Sequence, residues 1–100
     1  MKVQHPMLSD SPPLKFGDLD VKIYDFDVIG DVLPMHTHDD YTVHITIVAR
    51  GFIKAHGNGW ETEAKAGQIL DFKPGQEHEF IALEDNTRII NIVKNMAPKG

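Results

Sequence analysis

One hundred residues, 41% hydrophobic and 25% charged, suit a single globular domain with its own core, which excludes two independent domains and a mainly disordered chain. With no cysteine, neither a disulfide framework nor a thiolate zinc site can hold the fold. Ten basic against fifteen acidic residues give a formal charge of -5, which repels polyphosphates and argues against a nucleic-acid partner.

The opening Met1-Lys2-Val3-Gln4-His5-Pro6 is too polar for a signal peptide, and no apolar run approaches the ~18 residues of a membrane span. No membrane partner is expected, and the expected location is cytoplasmic. Residues 1–17 hold Pro6, Pro12, Pro13 and Gly17 and read as a loosely held arm with at most one short edge strand. Residues 20–28 mix β-branched and aromatic side chains, with Lys22, Tyr24, Phe26 and Val28 on one face of a strand. Residues 41–49 alternate more strictly. Tyr41, Val43, Ile45, Ile47 and Ala49 form a greasy face, while Thr42, His44, Thr46 and Val48 form a mixed lining suited to a solvated cavity. His44 is therefore expected to point into the interior.

Residues 52–55 and 60–64 flank His56-Gly57-Asn58-Gly59, where Asn-Gly and a second Gly predict a tight hairpin with positive φ values. Residues 68–72, 77–83 and 87–94 complete the set, between the turns Lys73-Pro74-Gly75 and Glu84-Asp85-Asn86. A helix is the alternative over the last two, since residues 76–97 contain no Gly or Pro, but Ile89, Ile90, Ile92 and Val93 favour strands. Pro98 precedes a frayed end at 97–100, which leaves 18–96 as the domain. Seven or so short strands without a sustained 3.6-residue period predict an all-β antiparallel sandwich or barrel with little helix. Its open sheet edges, together with the arm, predict a homodimer.

Six histidines are the compositional oddity, because imidazole serves metal binding, acid–base work and pH switching alike. His36 and His38, at i and i+2 after Pro34, lie on one face of extended backbone with Cα atoms roughly 6.5 to 7 Å apart, close enough to share a metal. Alone, the pair is equally two solvated surface histidines. His5 in the arm and His56 in the hairpin turn read as solvated, Trp60 as a packing or interface residue, and Lys73 as a solvated turn lysine.

Spacing adds a resemblance. Gly30, five residues, His36-Thr37-His38, then His44, six residues and Gly51 resembles the first motif of the cupin superfamily, G-x5-H-x-H-x3-4-E-x6-G. The run from Gly67 through Pro74, Gly75 and His78 resembles the second, G-x5-P-x-G-x2-H-x3-N. The two motifs span Gly30 to about Ala82. This sequence departs from them in placing His44 where the acidic ligand belongs, one residue further from His38. Lys73 stands in place of the first proline, and Ala82 in place of the final Asn.

The resemblance implies a double-stranded β-helix, the RmlC-like jelly-roll barrel, and one divalent transition metal (Fe, Mn, Ni, Zn or Cu) held by His36, His38 and His78. His44 would be a fourth ligand in place of a carboxylate. Otherwise His44 is a hydrogen-bonded interior histidine, and Asp39 or Asp40 donates the carboxylate. The implied function is metal-dependent action on a small polar molecule inside the barrel, in the manner of a dioxygenase, isomerase or lyase. The alternative is a non-catalytic module that binds a small ligand or a metal, although 100 residues leave no room for an attached DNA-binding domain.

Overall fold

Alternating apolar and polar positions, cut every few residues by a turn signal, leave strands as the regular structure this sequence supports. The computed structural model describes residues 14–36, 42–73 and 75–95. Nine strands run through them: β1 (Leu14–Phe16), β2 (Leu19–Phe26), β3 (Val32–His36), β4 (Thr42–Arg50), β5 (Phe52–Gly57), β6 (Trp60–Lys65), β7 (Ile69–Phe72), β8 (His78–Ala82) and β9 (Thr87–Asn95). No helix occurs among the described residues, so none there is long and apolar enough to cross a membrane. Most of the arm (residues 1–13), His38, Asp39, Asp40, Tyr41, Pro74 and the end from 96 lie outside the described residues.

All strand pairs are antiparallel and form two sheets, β1-β2-β9-β4-β7 and β3-β8-β5-β6, in the expected double-stranded β-helix arrangement. Strand wins over helix across 76–95, where the turn between β8 and β9 ends on Asn86 at φ 59°, a left-handed position that asparagine tolerates. β2 ends at Phe26 instead of continuing to Val28. The next amides are taken by side chains, as Val28 N–H donates to Asp31 Oδ2 (3.1 Å) and Ile29 N–H to Asp85 Oδ1 (2.7 Å). The β5–β6 hairpin is also tighter than expected, with a two-residue turn at Asn58-Gly59 in which only Gly59 has positive φ. Gly57 belongs to β5 and is needed for close approach: a Cβ there would collide with the Trp60 indole and the Glu77 carbonyl.

The core lies between the sheets and pairs large with small residues. Across β6, β5 and β8 the register sets Ala64 beside Ile53 and Ile53 beside Ala82, and one rung on sets Ala55 beside Phe80. Phe26, Val48, Phe72 and Ile89 fill the space from the other sheet. One end is clipped shut by Thr87, buried on β9. Its hydroxyl donates toward the carbonyls of Glu84 (3.0 Å) and Phe52 (3.3 Å) and accepts from Phe52 N–H (3.2 Å), tying the two sheets together. Gly51 passes this clip at φ 84°, and a side chain there would run into Thr87 as well as meet backbone strain. Gly30, Gly67 and Gly75, which with Gly51 frame the two sequence motifs, share that positive φ.

Candidate functional site

The interior is graded along its length. On β4 and β9 the inward pairs run from Val48 beside Ile89, through Thr46 beside Asn91, to His44 beside Val93. On β8 the inward residues run from Ala82 through Phe80 to His78. Both sheets thus turn polar at the same end, opposite the Thr87 clip, and the histidines collect there. The expectation that His44 points inward is met: it is 2% exposed, and His78 is fully buried.

His36 reaches the same place through a bulge. β3 pairs Leu33 with Phe80 and then His36 with His78, so three steps along β3 match two along β8. Pro34 has no N–H to give to the ladder, and Met35 N–H donates instead to the side chain of Glu79 (3.2 Å to Oε1). Strict alternation from the inward Leu33 would send Met35 inside; the extra residue turns Met35 out, 41% exposed, and brings His36 in.

The three rings form one aromatic cluster. His36 meets His78 edge-on at 4.2 Å between centroids, and His44 lies 4.9 Å from His78. Phe72 stacks on His44 at 4.7 Å and lies 4.6 Å from His78, with Phe80 behind at 5.6 Å from His78. His36 and His78 come from the four-stranded sheet and His44 from the five-stranded one, so the cluster bridges the barrel interior.

Hydrogen bonds fix which nitrogen of each ring carries its proton. His36 Nδ1 donates to Pro34 O (2.7 Å) and His78 Nδ1 to Gln76 O (2.9 Å), since carbonyls only accept. The Thr46 hydroxyl donates to Asn91 Oδ1 (2.7 Å), so it accepts from His44 Nε2–H (2.8 Å). The basic lone pair therefore lies on Nε2 of His36 and His78 and on Nδ1 of His44. Rings held this way by a neighbouring acceptor are typical of metal-ligating histidine, and the donor chemistry suits a divalent first-row ion. Among the described residues, however, no group of three or more His, Asp or Glu is disposed as a ready-made ion site, and His38, Asp39 and Asp40 lie outside them.

Other residues fall differently from their sequence reading. His56 is not a solvated turn residue: it lies in β5, half-buried, with Nε2 2.7 Å from Glu79 Oε2. Trp60 packs against the core as expected, 5.9 Å from Phe72. With Asn58, Lys73, Gly75, Gln76 and Glu77 it also lines a cleft of about 450 Å³ at the β7–β8 turn. The sequence motifs do not mark Thr46, Asn91 or Glu79. Thr46 shares a face with His44 in the sequence itself, but Asn91 and Glu79 become visible only once the register is known.

The sequence matches the family model of the AraC-like ligand binding domain over residues 19–92. No curated protein matches it. Among solved structures it is similar to an uncharacterized conserved protein with a double-stranded β-helix domain from Klebsiella pneumoniae (TM-score 0.74, 25% identity, 93% of this chain and 85% of that one). It is also similar to an RmlC-like cupin protein from Desulfovibrio desulfuricans (0.74, 17%, 94% and 97%). A cupin domain from Schizosaccharomyces pombe superposes at 0.73 with 10% identity, over 84% of this chain and 62% of that one. This chain thus spans less than two thirds of the length of the fission-yeast domain. Fold, motif glycines and family match agree, and the chain belongs to the AraC-like ligand binding domain family, as a small domain of the cupin superfamily.

Proposed function

We propose that the polar end of the barrel holds one divalent first-row transition metal on histidine nitrogens and binds a small polar molecule beside it. His36, His44 and His78 are the described donors, and His38 is the fourth. The observation that carries this reading is the convergence of three imidazoles from three strands, each with its tautomer set by a neighbouring acceptor. Such a metal would supply Lewis acidity, undiminished here because the four ligands are neutral. The protein's own contribution is orientation, through the carbonyls of Pro34 and Gln76 and the Thr46–Asn91 relay, and a dry floor of Phe72 and Phe80.

Elemental analysis of chelator-free protein tests the reading. Close to one equivalent of metal is expected, with a fall in melting temperature on its removal, because binding energy is coupled to the folded state. His36→Ala and His78→Ala should lose the metal. His44→Glu should keep it and His44→Ala should bind it more weakly, as a carboxylate can replace imidazole at that position. Substoichiometric metal after reconstitution, with no thermal shift, would defeat the proposal.

A second reading, binding without reaction, is favoured by the family match and by the cleft around Trp60 and Lys73. A metabolite panel with metal added separates the two. Depletion of a compound indicates an enzyme, and thermal shifts without depletion indicate a module.

A further inference from the structure

The turn between β7 and β8, which walls one side of the cleft beside Trp60, is braced by its own residues. Lys73 N–H donates to Gln76 Oε1 (2.9 Å) and Gln76 N–H to Lys73 O (3.1 Å), closing the turn twice across its width. The Gln76 carbonyl then accepts from His78 Nδ1 (2.9 Å), which anchors the turn to the barrel. Trp60 is fixed from the other side. It packs 5.9 Å from Phe72, and its register partner Gly57 leaves the space that the indole and the Glu77 carbonyl fill. The walls of the cleft are therefore set before any ligand arrives, which lowers the cost of binding one.

At about 450 Å³ the cleft falls within the roughly 300–1,000 Å³ of small-molecule sites, and its lining offers three kinds of contact. Trp60, half-buried, supplies an apolar indole surface. Because Gln76 Oε1 is taken, the amide NH2 of that residue is the group left to donate. Charge is the third contact. Lys73 and Glu77 are exposed at the two ends of the turn and line the same cleft, yet they form no ion pair with each other or with any other described side chain. Elsewhere on the sheets opposite charges do meet, as in Lys54 with Glu61 (3.3 Å) and Arg88 with Asp25 (2.7 Å). A ligand of one sign would suit one of the two groups and be opposed by the other, whereas a zwitterion answers both.

We infer that the Trp60 cleft binds an α-amino acid, with its carboxylate toward Lys73 and the Gln76 amide, its ammonium toward Glu77 and an apolar side chain on the indole. The inference rests on the binding reading of the cleft, to which it gives a ligand class, and does not draw on the metal. Trp60 begins β6 and Phe72 ends β7, the edge strands of the two sheets, so the cleft lies at a seam between them. The Phe72 ring, in contact with Trp60 and with both His44 and His78, is the partition between this seam and the histidine chamber.

Calorimetric titration of the full chain with L-phenylalanine and L-leucine, before and after chelation, tests it. Saturable binding with Kd between about 0.01 and 1 mM is expected in both states. Phenethylamine, which lacks the carboxylate, and 3-phenylpropionate, which lacks the ammonium, should each bind at least about tenfold more weakly than phenylalanine. Lys73→Met should weaken phenylalanine about tenfold and leave phenethylamine unchanged, and Glu77→Gln should do the same with 3-phenylpropionate as the unchanged compound. Both side chains are exposed, so these variants carry the test even if Trp60→Ala, expected to abolish binding, does not fold. No binding of either amino acid at about 10 mM overturns the inference, as does binding that both charge variants leave unchanged or that chelation removes. If 3-phenylpropionate binds as tightly as phenylalanine, the cleft is still a binding site but the amino-acid class is overturned.

Discussion

The two faces of β4 invert the usual economy of a sheet. Its greasier side, with Ile45 and Ile47, looks outward and stays half-exposed, whereas its polar side, with His44 and Thr46, is sealed inside the barrel. Hydrophobicity alone would have assigned these faces the other way round. The inward polar side chains are tolerated because each is matched to a partner, His44 to Thr46 two positions along the same strand and Thr46 to Asn91 across the register.

Adjacent residues on β9 offer the sharpest way to break this comparison. Ile89 is fully buried between the sheets, so Ile89→Ala should cost about 2–5 kcal/mol in urea unfolding at any protein concentration. Ile90, half-buried on the outward face, leaves less apolar surface to lose, and Ile90→Ala should cost under about 1.5 kcal/mol. Equal losses would mean the two faces are not energetically distinct.

Thr46→Val examines the interior side at nearly constant shape. It removes the acceptor of His44 Nε2–H and the donor to Asn91 Oδ1 in a buried setting, so a loss of about 1–3 kcal/mol is expected. Nitrogen chemical shifts of His44 should also show the ring's tautomer no longer fixed.

Which face turned inward was legible at His44, because a histidine placed amid the motif spacing marked it, and the turns were legible because glycines frame them. The outward isoleucine surface was not. Reading Ile23, Ile47, Ile69 and Ile90 as one surface requires the strand order β2-β9-β4-β7, which joins residues nearly seventy positions apart, and no local pattern carries that order. The role of Glu79 stayed hidden for a similar reason. Its partners Met35 and His56 come from the two strands that flank β8, so the contact exists only in the assembled sheet.

The smallest expected effect concerns an ion pair on the outward face. The Arg88 guanidinium hydrogen-bonded to Asp25, aided by its charge and that of Arg50, holds the Asp25 carboxyl below the usual value of 3.8 despite the opposing cost of burial. A depressed carboxylate contributes stability that is fully present above its unfolded value and is lost as pH falls through the folded one. Asp25→Asn should therefore lower stability slightly at neutral pH and flatten its decline below about pH 4. An unchanged acid limb in the variant's unfolding curves would show that the pair contributes nothing there.

The bulge in β3 gives the motif spacing a meaning beyond pattern. Gly30 is pinned by its N–H to the Ala82 carbonyl (2.8 Å), and Asp31 O accepts from Ala82 N–H (2.9 Å), so the segment is measured from a fixed post. From that post the number of residues, more than their identity, decides whether an imidazole or a thioether enters the cavity. With the pairing to β8 held, a one-residue insertion between Gly30 and Leu33 would set Met35 where His36 now stands and exchange an imidazole for a thioether in the chamber. The same counting applies to His44, whose position is set by the β4 register running back from Gly51.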